Sequence, residues 1–324
     1  MKTLLISGAF LTVTGLIASA QTASQPVSMT ITAEPLRGSQ SQALTAADVT
    51  AWQDHVRLPV TDLIPLQGNK AAMDLYILID ERIDPDQAGL FEPLREFIGR
   101  QAPEAAVGIA YMFNGEARIV RSPTRDHALA ADALRASSGN ESAAASPYTS
   151  LSQLVNGWKA DEAMRHEVLM VTDGMDRFET FGDYNMYVED AVNDAQRAGV
   201  IVYTMYEPCL GHASHSPELI RWGQTYLGQI AEETGGEAYL PNSSSVTWPA
   251  QTSLDTYLAD LTVHLANQYR ITFLATPISG GEYQRVSFEA RGNNVELVGA
   301  RSFYLKAPQP AGASGGASSI DSGQ

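Results

Sequence analysis

The chain has 324 residues, 44% of them hydrophobic and 18% charged, ample for a buried core in one large domain or two small ones. Its 37 acidic against 21 basic residues leave a formal charge of −16, which argues against a nucleic-acid partner, because phosphate backbones are gripped by Lys and Arg clusters. A single cysteine, Cys209, excludes an internal disulfide framework and any zinc centre of four thiolates.

Residues 1–20 read as a cleavable export signal. Lys2 supplies the positive start, Leu4 to Ile17 the apolar stretch, and Ala18-Ser19-Ala20 the small-residue cleavage site. That stretch is short and interrupted by Ser and Thr, and no later segment approaches the roughly 20 apolar residues of a spanning helix. The expected mature chain has no membrane span and is exported, periplasmic or secreted.

Residues 21–70 read as a β-rich lead-in, with Ser28 to Ala33 alternating polar and apolar. Residues 71–266 alternate two textures. Asp74 to Asp80, Val107 to Phe113, Glu167 to Asp173 and Ile201 to Tyr206 are nearly continuous apolar runs, as suits strands covered on both faces. Between them, Leu90 to Arg100, Asp126 to Arg135, Ser150 to Trp158, Tyr187 to Ala198 and Leu219 to Glu233 carry helical spacing. This order predicts an α/β fold: a doubly wound, mainly parallel sheet flanked by helices. Residues 267–306 return to alternation, with turns at Ser279 to Gly281 and Gly292 to Asn294, and predict a C-terminal β-hairpin unit, which with the lead-in makes a β-rich accessory unit drawn from both flanks. Residues 307–324 are Ala, Gly, Ser and Pro with almost no large apolar side chain, and read as a disordered tail.

Ligands of open α/β sheets bind at the carboxyl ends of the strands. Two of the four expected strands close there on an aspartate, Asp80 and Asp173. Thr149 stands in a third loop, entering a helix. Taken singly, each aspartate is as readily a helix cap. Gathered at one edge, two carboxylates and a hydroxyl are hard oxygen ligands suited to Mg, Mn or Ca.

From about Val27 to Pro308 the chain resembles the von Willebrand factor type A domain, and more closely the exported acidobacterial group of such domains. The resemblance rests on Arg165 to Gly174 with its Thr-Asp-Gly ending, on Leu227 to Gly236 with Thr-Gly-Gly, on the lead-in Gln42 to Asp54, and on Asn267 to Thr272. In that family the first strand ends in Asp-x-Ser-x-Ser, and these side chains join the loop Thr and the later Asp around one divalent cation, often completed by a partner's carboxylate. Carried over, the resemblance implies a site of Asp80, Thr149 and Asp173. Arg82 and Asp84, however, stand where the family has its two serines. Two arrangements follow. In one, Arg82 pairs with Asp80 or Asp173 and takes over the cation's electrostatic role. In the other, Arg82 turns outward and Asp84 becomes a third carboxylate ligand.

The implied function is non-catalytic. The chain would be an exported adhesion-type module with a degenerate ion site, engaging a partner protein through Asp80, Arg82, Asp84, Thr149 and Asp173. Two rivals stand beside it. One is a structural component that assembles through its terminal β unit. The other is a metal-dependent enzyme using Cys209, His212 and His215, whose ligand types suit Zn or Cu. Dinucleotide binding fails, because the turn after Asp80 is bulky and charged instead of Gly-x-Gly-x-x-Gly. Phe178, Phe181 and Tyr184 follow Asp173 and are placed to touch a partner, whereas Tyr203 and Tyr206 read as core.

Overall fold

A computed structural model describes residues 24–36, 43–83, 88–136, 146–158, 164–178, 182–209, 216–240, 252–277, 282–292 and 294–305. The expected export signal, the tail, Asp84, Phe181, His212 and His215 lie outside them.

In chain order the strands and helices are β1 (Gln25–Pro35), β2 (Val49–Gln53), β3 (Val56–Leu58), β4 (Val60–Pro65), β5 (Met73–Asp80), α1 (Phe91–Gly99), β6 (Ala105–Phe113), β7 (Glu116–Thr124), α2 (His127–Ala131), α3 (Pro147–Asn156) and β8 (Arg165–Thr172). Then come α4 (Met186–Ala198), β9 (Val200–Tyr206), α5 (Pro217–Thr234), β10 (Ala238–Tyr239), α6 (Thr252–Ala266), β11 (Gln268–Ala275), β12 (Tyr283–Arg285), β13 (Ser287–Ala290), β14 (Val295–Gly299) and β15 (Ser302–Tyr304).

The four apolar runs become β5, β6, β8 and β9, at the heart of a six-stranded sheet ordered β10-β9-β8-β5-β6-β7. All its pairings are parallel except that of β6 with β7. Period-two alternation sends Leu75, Ile77 and Ile79 of β5 to one face, packed on Leu94 of α1 and Leu261 of α6. Tyr76 and Leu78 go to the other face, packed on Leu151 of α3, Val188 of α4 and Leu227 of α5. Both faces are covered, which is why these strands read as unbroken apolar runs.

The chain winds outward from β5 in both directions, so the topological switch point lies between β5 and β8. Strand order and the antiparallel edge β7 make this the doubly wound α/β arrangement of a type A domain.

The flanks form the accessory β unit. A four-stranded antiparallel sheet, β14-β1-β11-β4, packs with the small sheets β13-β2-β3 and β12-β15 around Ile31, Ile271 and Phe273. Among the described residues, no two consecutive C-terminal strands pair as a hairpin. β11 pairs with β1 and β4, β14 with β1, and β13 with β2, so N-terminal strands sit between the C-terminal ones. Each strand has one apolar face, and the lead-in strands complete the core that a lone hairpin cannot close.

Candidate functional site

β5 ends on Asp80 and β8 runs into Asp173, on the two strands that flank the switch point. The chain after Asp80 turns back, with the Arg82 amide donating to Asp80 Oδ1 at 2.9 Å. This short turn aims the Arg82 side chain into the crevice. Its Nε donates to Asp80 Oδ1 at 3.1 Å and its Nη2 to Asp80 Oδ2 at 2.7 Å and to Asp173 Oδ1 at 3.2 Å. Thr172 Oγ1 donates to Asp80 Oδ2 at 2.6 Å, and the Met175 amide to Asp173 Oδ1 at 3.0 Å. Asp80 and Arg82 are 2% exposed and Asp173 is 0% exposed.

Burial works against the ionised Asp80 carboxyl, yet the Arg82 charge and the bonds from Arg82 and Thr172 hold it below the usual range. Burial likewise opposes the guanidinium, and Asp80 and Asp173 outweigh it, so Arg82 stays charged. Of the two arrangements left open by the sequence, the inward one is found.

An antiparallel bridge from Ile83 to Cys209 brings the chain after β9 beside this turn. Ligand atoms of Asp80, Asp173 and Cys209 all lie within 4.8 Å of one another. Burial drives the Cys209 thiol well above its usual range, and the carboxylates of Asp173 and Asp80 push it further. Both causes favour its thiol form over the thiolate. Glu207, at the end of β9, is pushed up to about 8 by burial and is protonated at neutral pH.

The residues present do not fit a divalent cation. Three of the four oxygens of Asp80 and Asp173 accept hydrogen bonds, leaving Asp173 Oδ2 without a partner among the described residues. A hard cation needs several free oxygens and tolerates no guanidinium between them. Thr149 corrects the expected ligand set. Its hydroxyl donates to the Ser146 carbonyl at 2.8 Å, and among the described residues no hydrogen bond joins it to the cluster. The expected direct contacts are corrected too: Asp80, Arg82 and Asp173 offer a partner almost no surface.

The chain that leaves Asp173 meets the cluster through the Met175 amide and is held farther on by side chains outside it. Gly174, at φ 69°, takes a left-handed turn that a side chain would strain. Its carbonyl accepts from Tyr148 Oη at 2.5 Å. Asn185 caps α4, its Oδ1 accepting from the Tyr187 and Val188 amides at 2.9 and 3.2 Å, while its Nδ2 donates to Asp176 at 3.0 Å. Tyr226 Oη exchanges hydrogen bonds with the Gly182 amide and carbonyl, each at 3.0 Å. From this pinned frame Phe178 (54% exposed), Tyr184 (70%) and Met186 (44%) project outward.

Beside the cluster, Glu81 is buried and takes both Arg135 nitrogens at 2.8 and 2.7 Å, with the Arg135 guanidinium 4.1 Å above the Tyr111 ring. Sequence reading missed Thr172, Tyr148, Asp176 and this pair. Thr172 lay inside the quoted Thr-Asp-Gly element, a visible signal; the others act through partners remote in sequence.

No family model matches the chain, and no curated protein is similar to it. Among solved structures it is similar to a von Willebrand factor type A protein from Catenulispora acidiphila, at 11% identity over 90% of this chain and 76% of that one, with a TM-score of 0.40. It is also similar to an aerotolerance-related membrane protein of Bacteroides fragilis, at 13% identity over 60% of this chain and 98% of that one, TM-score 0.42. The BatB protein of Bacteroides thetaiotaomicron gives 11% identity over 59% and 98%, TM-score 0.38. At such identities these likenesses concern backbone arrangement alone; the strand order carries the fold assignment.

Proposed function

We propose that this chain is an exported, non-catalytic protein-interaction module, akin to the exported acidobacterial type A group, that works without a metal ion. Arg82 is its built-in cation. It neutralises Asp80 and Asp173 and so fixes the strand ends from which the contact loop springs. The partner meets Phe178, Tyr184 and Met186, not the charge cluster. The observation that carries this reading is that the buried cluster takes the amide of Met175, at the start of the chain leaving Asp173, while Phe178, Tyr184 and Met186 stand exposed farther along it. Exposed aromatic and Met side chains on a rigid frame bury much area at low entropic cost. Cys209 is 3% exposed, which supports a reading without thiol chemistry.

Two experiments test it. Calorimetric titration of Mg, Mn and Ca into the metal-stripped full chain is expected to give no binding, whereas Arg82→Ser restores a serine and gains Mn or Mg affinity. Binding by the unaltered chain, or none by the variant, overturns the built-in cation. A photo-crosslinking residue placed at Tyr184 in cells is expected to trap a discrete partner, and one at exposed Val263 on α6 is not. Identical traces from both positions reject the contact loop.

A further inference from the structure

Among the described residues the chain crosses between its two layers at two places, after β4 through residues 66–72 and from α6 into β11 at Asn267. One side chain holds both crossings. Arg165, 5% exposed at the start of β8, donates from Nη2 to the Ala71 carbonyl at 2.9 Å and from Nη1 to the Leu265 carbonyl at 2.8 Å. Nη1 also donates to the side chain of Gln268, the first residue of β11, whose Nε2 donates to Tyr203 Oη at 3.1 Å. Two residues on, and so on the same face of β8, stands Glu167 at 0% exposure. Both of its carboxyl oxygens, and Arg165 Nε, are buried without a hydrogen bond among the described residues. An unpaired acid costs folding energy here that an apolar side chain would not. We propose that Arg165 and Glu167 form a proton-operated clasp between the layers, closed while Glu167 is protonated and loosened when it ionises.

The clasp is a competition for one guanidinium. A neutral Glu167 makes no claim on Arg165, which stays on the two carbonyls. An ionised Glu167 draws it, because a buried carboxylate is costly until a cation faces it. In the closed form Nε does not reach Glu167, so the guanidinium must turn, and the turn takes Nη1 and Nη2 off their carbonyls.

The neighbouring groups do not reverse this. Leu75 and Ile201, beside Glu167 in the sheet, are apolar. Tyr203 of β9 faces the acid and burial keeps it a neutral phenol, while Arg270 of β11 faces Arg165. From α6, His264 stands with its ring centre 6.3 Å from that of Tyr203. Its Nε2 is 3.8 Å from Glu34 of β1 and 3.4 Å from Asp260, with Glu237 beyond them. The contact with Glu34 also spans the layers and is an ion pair only while the imidazole is protonated, so it acts in the same sense. Burial raises Glu167 to about 7, against about 4.3 for a solvated carboxyl. A closed clasp thus holds a proton that an opened one releases. Its advantage is complete below about pH 4.3 and is lost as pH rises through 7.

Hydrogen exchange of the full chain tests the clasp, followed by mass spectrometry at about pH 5.5 and 8.0 and corrected for the chemical exchange rate. Opening at residues 66–72 and 267–275 is expected to rise by up to about thirtyfold at the higher pH, the linkage of one such group. Strands β5 and β6 are expected to keep their protection. Glu167→Gln, a permanent stand-in for the protonated acid, is expected to remove the response, and His264→Gln to retain most of it. A response that persists in Glu167→Gln, or vanishes in His264→Gln alone, overturns the proposal. So does an unaltered chain whose crossings exchange equally at both pH values, or open only together with β5 and β6, and that outcome needs no variant.

Discussion

Arg82 decides the character of the site, through a choice the sequence leaves open. That Asp80 and Asp173 sit at strand ends was legible, because each closes a continuous apolar run. The direction of Arg82 was not, because it depends on Asp173, which only sheet pairing brings within reach. Removing the guanidinium leaves two buried carboxylates unpaired, so Arg82→Met is expected to lose about 3–5 kcal/mol in urea unfolding, the usual cost of breaking one side of a buried pair. A loss under about 1 kcal/mol, the scale of an exposed pair, counts against that burial. Two buried carboxyls act in the opposite sense. Burial raises Glu167 to about 7 and Glu207 to about 8, against about 4.3 in an unfolded chain. The folded state thus holds protons that the unfolded state has released. Their contribution is complete below about pH 4.3 and lost as pH rises through 7 and 8, with a slope of at most about 1.4 kcal/mol per unit for each group. Asp80, held low, adds stability above about pH 3.9 that disappears as pH falls. The melting temperature is therefore expected to be higher at pH 5.5 than at 8.5, and Glu167→Gln to flatten the difference.

Among the elements, helix α5 sets how tightly the site is closed. A Cβ on Gly223 would come 2.4 Å from the Asp173 carbonyl oxygen, so only glycine lets this helix lie against the strand end. Gly223→Ala is expected to destabilise by about 1–3 kcal/mol through overpacking. Gly228, on the same helix with nothing within 4 Å of an added Cβ, is the control. Gly228→Ala is expected to gain about 0.5–1 kcal/mol, since only helix propensity changes. Differential scanning calorimetry of the pair separates packing from propensity, and equal shifts would dismiss the contact. The covered strands and five helices were legible within a few residues at their ends. β7 was not: as an edge strand with most of its side chains exposed, its run Glu-Ala-Arg-Ile-Val-Arg-Ser-Pro-Thr has neither apolar continuity nor alternation. Within the alternating residues 267–306, the stretch from Gln284 to Ala290 breaks into β12 and β13, which join different sheets.

The whole molecule is tied across its two layers. Arg165 at the foot of β8 donates to the Leu265 carbonyl at 2.8 Å, to the Ala71 carbonyl at 2.9 Å and to the Gln268 side chain, which in turn donates to Tyr203 Oη at 3.1 Å. A Cβ on Gly235 would meet the Ala300 backbone nitrogen at 2.5 Å, so the end of α5 abuts the chain leaving β14. With buried polar bonds and close backbone contact joining the layers, a single cooperative transition is expected. Trp52 of β2 and Trp158 beyond α3 report on the two layers separately. Urea unfolding curves of single-tryptophan variants should coincide, and separated midpoints would show that the layers melt independently.

Composition and local pattern alone determined the α/β class, the acidic surface and the placement of two aspartates at one sheet edge, because these follow from periodicity and burial within short stretches. Tertiary structure decided the rest. It turned Arg82 inward, set Cys209 against the carboxylates, kept Thr149 off the cluster and fixed which strands of the two flanks pair. Each of these is a contact between segments far apart in sequence, and its energy depends on distance and burial that no local pattern records.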